Sequence, residues 1–578
     1  MFRNIIKITL RNLKRQKVYS FINILGLAIG MTSAILILLW IQDELSYDKF
    51  HEQKNELYLV FMRDADDPNS RGSATVPFSL APILKQEFPE VVEFTRMQLR
   101  SFYESCMLKH GNKVFYEDGI LLVDPSFFNM FTYRFIKGNR ETALMNKNSM
   151  VITQDIATKY FGEEEPLGKI LKFNNRLDFV VSGVIENIPH NSELQFDFIA
   201  SIQNLGDSKL NSWSWESFSC ILLQKNTSIP DLKKKIAGSI EKHHPIPGLN
   251  LVVDIQSLTR VHLHHGSGDI RLVYIFMSVA IFILVIACIN YMNLTTARFN
   301  KRAKEVGLRK VVGAHRGVLI RQFFGESISL SLVALFIAFI FVEILLSFFN
   351  NLTDKNLVFI SSSNYLLLFS LIGLAIIVGM MAGSYPAFFL SSFQPAVVLR
   401  GLLKSSTKSP LLRMILVVTQ FTIAIILIIC TIIVYRQHNY MIHKKLGYNK
   451  DQIIYIPINQ EFKQKYDSLK NKLLQNPDIK NVTVASSLPN RIGNTNPIEW
   501  EGKTSDEFVL TKFAVVDHDY LDIFQMKLLE GRNFSKEFTA DISNFIINKK
   551  AAELMSLENP INKQVTFMNV SGKIIGII

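Results

Sequence analysis

Five long apolar runs divide this chain into membrane-like and hydrophilic parts. The runs cover residues 18–41, 272–296, 327–349, 364–390 and 414–435. An α-helix needs about 20 apolar residues to cross the hydrocarbon core of a bilayer, and each run reaches that length. Glu343 is the one residue inside them with a side chain charged at neutral pH, and it stands near the end of its run, where a carboxylate can reach the interface. We therefore predict five membrane spans and no charged path across the midplane.

The two hydrophilic regions, residues 42–271 and 436–578, follow a different pattern. Short segments such as Leu177 to Ile185 and Phe218 to Leu223 are rich in β-branched and apolar residues and are bounded by Gly, Pro, Asn and Asp, which is typical of strands. Residues 79–87 and 231–243 have helical spacing instead. Each region is therefore predicted to be a soluble α+β domain, the first complete and the second incomplete.

Basic residues concentrate in three short segments beside the apolar runs. Residues 1–17, 297–326 and 391–413 hold 18 Lys and Arg against two Glu, which is more than the net charge of +13 for the whole chain. Lys and Arg in short segments next to spans mark the cytoplasmic side. The fold class follows: an integral membrane α-helical protein with five spans, a cytoplasmic N-terminus and large extracytoplasmic α+β domains.

The N-terminal segment, residues 1–17, places apolar residues near helical spacing with Arg and Lys between them. This pattern is typical of an amphipathic helix lying on the inner leaflet. A signal peptide is the alternative, but the uncharged run after it, 25 residues from Val18 to Gln42, is longer than a signal peptide's apolar region, and no small-x-small cleavage site follows. We predict a retained first span.

Two spans contain a G-x-x-x-G motif, formed by Gly26 with Gly30 and by Gly379 with Gly383. Small residues at this spacing let a second helix approach closely. The motif is frequent by chance in apolar helices. These four glycines are our candidates for helix packing within the membrane.

Other chemistry is sparse. The excess positive charge lies beside spans, which favours membrane topology over nucleic-acid binding. Cys106 and Cys220 fall in the first outer region, where a bridge is chemically possible, and the sequence leaves it open. The group His262, His264 and His265 has no Cys or carboxylate beside it at metal-site spacing, so we interpret it as a polar linker near the membrane. No metal site is predicted.

The two outer regions repeat each other. Residues 123–131 match residues 516–524, and residues 180–185 match 573–578, both at an offset of 393. Self-similarity of this kind indicates a duplicated architecture. In the first copy the chain continues into three further spans, whereas the second copy stops at Ile578. The sequence thus suggests a truncated chain whose complete form would end near residue ~780, with three more spans and a second basic loop.

The basic loop carries a family resemblance. The stretch from Lys304 to Ala314, KEVGLRKVVGA, followed by QFFGE from Gln322 to Glu326, resembles the signature of FtsX-like, MacB-type ABC transporter permeases. The stretch from Trp40 to His51, WIQDELSYDKFH, resembles the junction between the first span and the outer domain in the duplicated members of that family. With the topology and the repeat, the resemblance extends over most of the chain.

The resemblance implies that the loop contains a coupling helix that docks on a separate ATPase subunit. Its apolar and charged residues have helical propensity, and Gly313 is placed to end the helix; a purely topological basic loop is the alternative. The candidate ATPase-coupling residues are Lys301, Lys304, Glu305, Val306, Gly307, Leu308, Arg309, Lys310, Val311 and Gly313.

No P-loop string G-x-x-x-x-G-K-[ST] occurs in the sequence, and no catalytic residues are predicted. We expect a permease subunit that binds no cofactor itself, with ATP and Mg on the partner ATPase. The resemblance implies export or extrusion of a peptide, lipophilic drug or lipoprotein at the bacterial inner membrane, driven by mechanical transmission. A periplasmic adaptor or outer-membrane component could dock on the outer domains. The alternative function is a non-transporting transducer that regulates a cell-wall enzyme or sensor.

Overall fold

The fold is taken from a computed structural model of the 578-residue chain. The described residues are 17–66, 72–99, 106–117, 120–246, 249–297, 306–359, 365–391, 408–458, 462, 465–493, 495–503, 509–557, 559–568 and 570–578. The predicted helix at residues 1–17 lies outside them except for Lys17, as does most of the linker at 391–413. The chain divides into two compact units, residues 1–48 with 262–442 and residues 49–261 with 443–578.

The helices are numbered in chain order. They are α1 Lys17–Glu44, α2 Leu80–Glu87, α3 Phe127–Met130, α4 Gln154–Phe161, α5 Asp207–Leu210, α6 Ile229–Ile236, α7 Ser239–His243, α8 Leu258–His264, α9 Ile270–Ala297, α10 Arg316–Thr353, α11 Tyr365–Ser391, α12 Lys408–His443, α13 Tyr466–Leu473, α14 Tyr520–Ile523 and α15 Lys549–Leu554. Among the described residues, α1, α9, α10, α11 and α12 are long and apolar enough to span a membrane.

The strands follow the same order. They are β1 Leu57–Asp64, β2 Thr75–Pro77, β3 Val91–Leu99, β4 Cys106–His110, β5 Lys113–Glu117, β6 Ile120–Val123, β7 Phe135–Gly138, β8 Ser149–Thr153, β9 Ile170–Phe173, β10 Leu177–Ile185, β11 Phe198–Ser201, β12 Trp215–Leu223, β13 Leu251–Ser257, β14 Thr495–Trp500, β15 Leu510–Lys512, β16 Glu530–Gly531, β17 Phe545–Ile547, β18 Gln564–Phe567 and β19 Val570–Ile577.

The membrane helices form a bundle in which α1 packs against α9 and α10, and α11 packs against α9 and α10. Small and branched side chains fill its centre, among them Ala28, Ala334, Ala338 and Ala375, each with no exposed surface. Close approach through small residues is how helices associate where water supplies no hydrophobic driving force between them. By contrast, the described side chains of α12 are mostly exposed.

The four motif glycines lie at contacts between helices of this bundle. A Cβ on Gly30 would stand 2.8 Å from the Cβ of Ala287 on α9, and one on Gly26 would stand 3.6 Å from Asn290. On α11, a Cβ on Gly379 would meet the α10 backbone at 2.7 Å, at Ile328. A Cβ on Gly383 would be 2.7 Å from the Ser327 hydroxyl on α10. The structure therefore places one motif against α9 and the other against α10.

Helix α10 extends beyond the apolar run that predicts the third span. Helix α10 begins at Arg316, before the predicted start of the third span at residue 327, because the apolar pattern is already helical there. The helix therefore includes Glu326, whose side chain is buried. Of the two carboxylates in α10, Glu326 is buried and Glu343 is exposed.

The first outer region builds one 13-stranded sheet with the order β13-β1-β12-β3-β6-β11-β8-β10-β9-β4-β5, to which β2 and β7 attach. Alternation fixes which face is buried: along β9, Leu171 and Phe173 point inward while Ile170 and Lys172 face solvent. The central strands β6, β8 and β11 are buried on both faces. Cys220 is buried on β12, whereas the Cys106 side chain lies outside the described residues, so the question of a bridge stays open.

The second outer region builds a six-stranded sheet in the order β15-β14-β18-β19-β16, with β17 beside β19. It reproduces part of the first sheet. Strand β10 is antiparallel to β7 and β9 and parallel to β8, and β19 has the same three relations to β16, β18 and β17. The duplication seen in the sequence is therefore also a duplication of fold.

Paired glycines mark the same point in both copies. Gly138 pairs with Gly183 and Gly531 pairs with Gly576, in each case between the equivalent strands. Gly138 has φ 89° and Gly531 has φ 80°, a region that L side chains rarely adopt. A Cβ there would also strike the facing backbone, so both copies need glycine.

A buried carboxylate recurs as well, with a different cation in each copy. Asp124 after β6 accepts hydrogen bonds from Arg96 on β3 at 2.8 and 2.9 Å. Its equivalent Asp517 accepts from Tyr466 at 2.6 Å and from Lys470 at 3.0 Å, both on α13. Burial alone would raise the pKa of Asp517, but hydrogen bonds from Tyr466, His518 and Lys470 outweigh it and lower the pKa. Both copies therefore keep a charged carboxylate at this position, but its cationic partner lies on a strand in the first copy and on a helix in the second.

Candidate coupling surface and buried junction network

Residues 306–311 form a short helix before α10. The amide of Ala314 donates to the carbonyl of Arg309 at 3.0 Å, and the amide of Gly313 donates to the carbonyl of Lys310 at 3.1 Å. Gly313 has φ 96°. Together these are the two hydrogen bonds and the left-handed residue of a Schellman motif, which ends a helix and satisfies its last carbonyls. The short helix thus has a well-defined end at Gly313.

One apolar residue anchors this helix to the bundle. Val306 is buried against Leu319 and Phe323 of α10 and Ala387 of α11. Gly307 beside it is also buried. The short helix therefore contacts the ends of two spanning helices.

The basic residues Arg309 and Lys310 are directed to the bundle as well. The Arg309 guanidinium donates to the side-chain oxygen of Gln322, and the Lys310 ammonium donates to the carbonyl of Ser391 at 2.7 Å. Burial, with Arg316 nearby, lowers the pKa of Lys310. These two cations therefore hold the short helix in place and leave the contact surface to other side chains.

Three apolar side chains of this segment are exposed. Leu308 is 58% exposed, Val311 60% and Val312 85%. We call these three the coupling surface. A capped helix that exposes three neighbouring apolar side chains has the character of a protein contact. Of the other predicted coupling residues, Lys301, Lys304 and Glu305 lie outside the described residues.

A second cluster of polar residues lies at the C-terminal end of α1 and was not predicted. Glu44 accepts a hydrogen bond from the His262 ring at 2.9 Å, and the Lys355 ammonium lies 2.9 Å from Glu44 and 2.8 Å from Asp43. The Tyr47 ring stacks on His262 with centroids 3.4 Å apart, and its hydroxyl accepts from Lys355 at 3.0 Å. We call these five residues the junction network.

The junction network is almost completely shielded from solvent. Asp43, Glu44 and His262 are buried, and the Lys355 side chain is only 13% exposed. Burial alone would lower the pKa of Lys355, but hydrogen bonds with Asp43, Glu44 and Tyr47 outweigh it and raise the pKa. The ammonium therefore stays charged between its carboxylates at any physiological pH.

The interpretation of His262 as part of a polar linker is wrong. The sequence gives it no partner nearby, because Glu44 is 218 positions away. A signal did exist: the carboxylate pair Asp43-Glu44 directly ends an apolar run, and Lys355 stands in a short loop between two others. Charges at the ends of neighbouring spans meet if the spans pack, and these spans do.

Further along the junction stretch, His51 is buried in the outer domain. Its Nδ1 accepts a hydrogen bond from the amide of Thr132 at 3.1 Å, and the rings of Phe50, Phe131 and Tyr133 surround it. Burial lowers the pKa of His51 to about 4. This histidine is therefore a neutral packing residue at neutral pH. No group of His, Cys, Asp and Glu that could hold a metal ion occurs among the residues the structure describes.

The fold defines a multi-pass membrane protein with large extracytoplasmic α+β domains. Residues 20–238 match the family described as MacB-like periplasmic core domain, and residues 277–395 match that described as FtsX-like permease C-terminal. The chain is a permease of the FtsX/MacB type of ABC transporter.

Individual relatives share only about a quarter of the aligned residues with this chain. The chain is 27% identical over 259 residues to the macrolide export ATP-binding/permease protein MacB of Bdellovibrio bacteriovorus, covering 43% of this chain and 38% of that protein. It is 24% identical over 344 residues to the ABC transporter permease YknZ of Bacillus subtilis, covering 57% of this chain and 82% of that protein. The chain thus spans less than half of that MacB.

Among solved structures, a domain of a permease protein from Porphyromonas gingivalis is 25% identical with a TM-score of 0.32, covering 36% of this chain and 91% of that domain. The periplasmic region of MacB from Actinobacillus actinomycetemcomitans is 16% identical with a TM-score of 0.27, covering 35% of this chain and 88% of that region.

Proposed function

We propose that this chain is the membrane subunit of a transporter in which a separate ABC ATPase hydrolyses ATP and the permease converts the movement into export. The coupling surface is the observation that carries the proposal. It presents Leu308, Val311 and Val312 on a helix that is capped at Gly313 and anchored through Val306. A movement imposed on this helix would reach α10 and α11 through buried contacts.

We also propose where ATP is hydrolysed and how this chain is oriented in the membrane. ATP and Mg bind the partner, since the P-loop string that cradles phosphate does not occur in this sequence. The basic loop and the coupling surface face the cytoplasm, by the positive-inside rule, and the outer domains face the other side of a bacterial inner membrane. A periplasmic adaptor or outer-membrane component would dock on those domains.

For substrate we propose a peptide, a lipophilic drug or a lipoprotein taken from the outer face of the membrane. Mechanical transmission from the coupling surface to the outer domains would drive its extrusion. The duplicated outer region favours an exporter over a signal transducer, because the simplest transducers that the family resemblance implies have a single module.

Co-purification tests the proposal directly. The full-length protein is extracted in a mild detergent, and the bound proteins are identified by mass spectrometry and assayed for ATP hydrolysis. An ABC ATPase in near-stoichiometric amount, whose turnover rises on reconstitution with this chain, is the expected result. A preparation that contains no ATPase under conditions where the permease is folded contradicts the proposal and favours a transducer.

A further inference from the structure

The junction network joins three separate stretches of one compact unit. Asp43, Glu44 and Tyr47 belong to the end of α1 and the turn after it, His262 to the segment that leads into α9, and Lys355 to the connection between α10 and α11. The single Lys355 ammonium is shared by two carboxylates and a phenol oxygen. Three chain segments that are far apart in sequence therefore meet at one buried charge.

The connection that carries Lys355 is itself held. The side-chain amide of Asn350 donates to the carbonyl of Leu357 at 3.0 Å, and the Asn350 side-chain oxygen accepts from the Leu357 amide at 3.2 Å. Leu357 and Phe359 are buried in the core of the bundle. The loop thus folds back onto the helices, and this places Lys355 between the carboxylates.

The His262 side of the network is equally restricted. A Cβ added to Gly268 would lie 2.6 Å from the His262 ring and 3.0 Å from the Glu44 carboxylate, so only glycine leaves room for their hydrogen bond. Ser267 lies within 3.3 Å of the other ring nitrogen of His262. Both nitrogens and one face of the ring are therefore occupied, the face by Tyr47.

We propose that the junction network is a lock. It holds the ends of α1, α9 and α10 that meet there together as one body, so that movement begun at the coupling surface is passed on undivided. Buried ion pairs cost much desolvation and add little net stability, but they impose one arrangement on the groups that share them. Its consequence for transport rests on the proposed function, whereas the lock itself does not.

In the second repeat the two carboxylates of the network are replaced by lysines. Residues 44–49, ELSYDK, correspond to residues 445–450, KLGYNK, and both follow directly after a spanning helix. Lysines 444 and 445 stand where the first repeat has Asp43 and Glu44, and both are exposed. A lysine ammonium cannot bind another ammonium, so these two positions do not reproduce the carboxylate side of the network.

Hydrogen exchange of the full-length protein in detergent, followed by mass spectrometry, tests the lock. We expect Lys355→Met to speed amide exchange about tenfold or more in residues 44–50, 262–270 and 350–359 together, because removal of the shared cation leaves two buried carboxylates unpaired. Tyr47→Phe, which keeps the stacked ring and removes only the phenol oxygen, should give the same pattern more weakly.

Lys169→Met is the matched control, since Lys169 pairs with Glu164 at an exposed site of the outer domain; it should leave all three segments unchanged. Faster exchange confined to residues 350–359 would show a local loop contact and overturn the lock. If Lys355→Met does not fold, the Tyr47→Phe variant decides: exchange rates equal to those of the native protein would also overturn the lock. If no ATPase binds the native protein, the proposed function fails while this result stands.

Discussion

A variant with Leu308→Asp and Val312→Asp is expected to lose its ATPase partner while remaining folded. In the free chain both side chains are largely exposed, 58% and 85%, so a carboxylate at either position stays hydrated, and surface changes of this kind usually alter stability by less than about 0.5 kcal/mol. In a complex each carboxylate would be buried without a cation. Losing two central apolar contacts should weaken binding by about 3 kcal/mol or more, roughly a hundredfold.

Val114→Asp is the matched control for this variant. Val114 lies on β5 of the outer domain and is 44% exposed, so the same chemical change is made away from the coupling surface. Co-purification and ATP hydrolysis are measured for both variants beside the native protein. Equal recovery of the ATPase with all three would mean that the coupling surface does not bind it.

The second large effect is expected from Arg96→Met in the outer domain. The Arg96 side chain donates to Asp124 at 2.8 and 2.9 Å and to the carbonyl of Leu210 at 2.9 Å, and the two charged side chains are each 10% exposed. Removal of the guanidinium leaves a buried carboxylate without its cation, which typically costs about 3–5 kcal/mol. For a domain of this size the melting temperature should fall by roughly 10 °C.

Thermal unfolding of the full-length protein, followed by tryptophan fluorescence, measures this effect, because Trp213 and Trp215 lie in the same domain. The control is Lys85→Met, which breaks an exposed ion pair with Glu93 and should cost less than about 1 kcal/mol. The double variant Arg96→Met with Asp124→Asn should recover part of the loss. If Arg96→Met melts like the control, the buried pair does not hold the domain together.

The membrane architecture was predictable because it depends on long-range averages of hydrophobicity. Five apolar runs gave five helices long enough to span a bilayer. Helix α10 begins at Arg316, before the apolar run that predicts the third span from residue 327, because charges in the preceding segment interrupt the apolar run but not the helix. Glu326 was thereby counted with the basic loop, whereas it lies buried in the helix.

The duplicated strands were also visible in the sequence, since the repeat keeps the same glycines at the same offset. Gly138 with Gly183 and Gly531 with Gly576 occupy one shared backbone geometry. The partners of the buried carboxylates were not visible. Asp124 is bound by Arg96 on a neighbouring strand, but Asp517 is bound by Lys470 on a helix. Because the cation that binds the carboxylate differs between the two copies, the sequence repeat contains no pattern that reveals this ion pair.

The sequence also could not show which of the candidate coupling residues face the bundle and which face away from it. The sequence put Leu308, Arg309 and Lys310 into one candidate group, and only the fold separates them. Arg309 and Lys310 reach back to the bundle, whereas Leu308 points away from it. Likewise the junction network depends on contacts between His262, Glu44 and Lys355 that bridge hundreds of positions. Periodicity describes the neighbours of a residue on its own helix and cannot supply such partners.

Photo-crosslinking in whole cells tests the central claim, docking of the coupling surface on a separate ATPase, most directly. A benzophenone amino acid is placed at residue 312 and, in a parallel strain, at residue 114, and the crosslinked products are identified by mass spectrometry. We expect an ABC ATPase to be crosslinked from residue 312 and not from residue 114. Products from residue 312 that contain only this chain or lipid would contradict it.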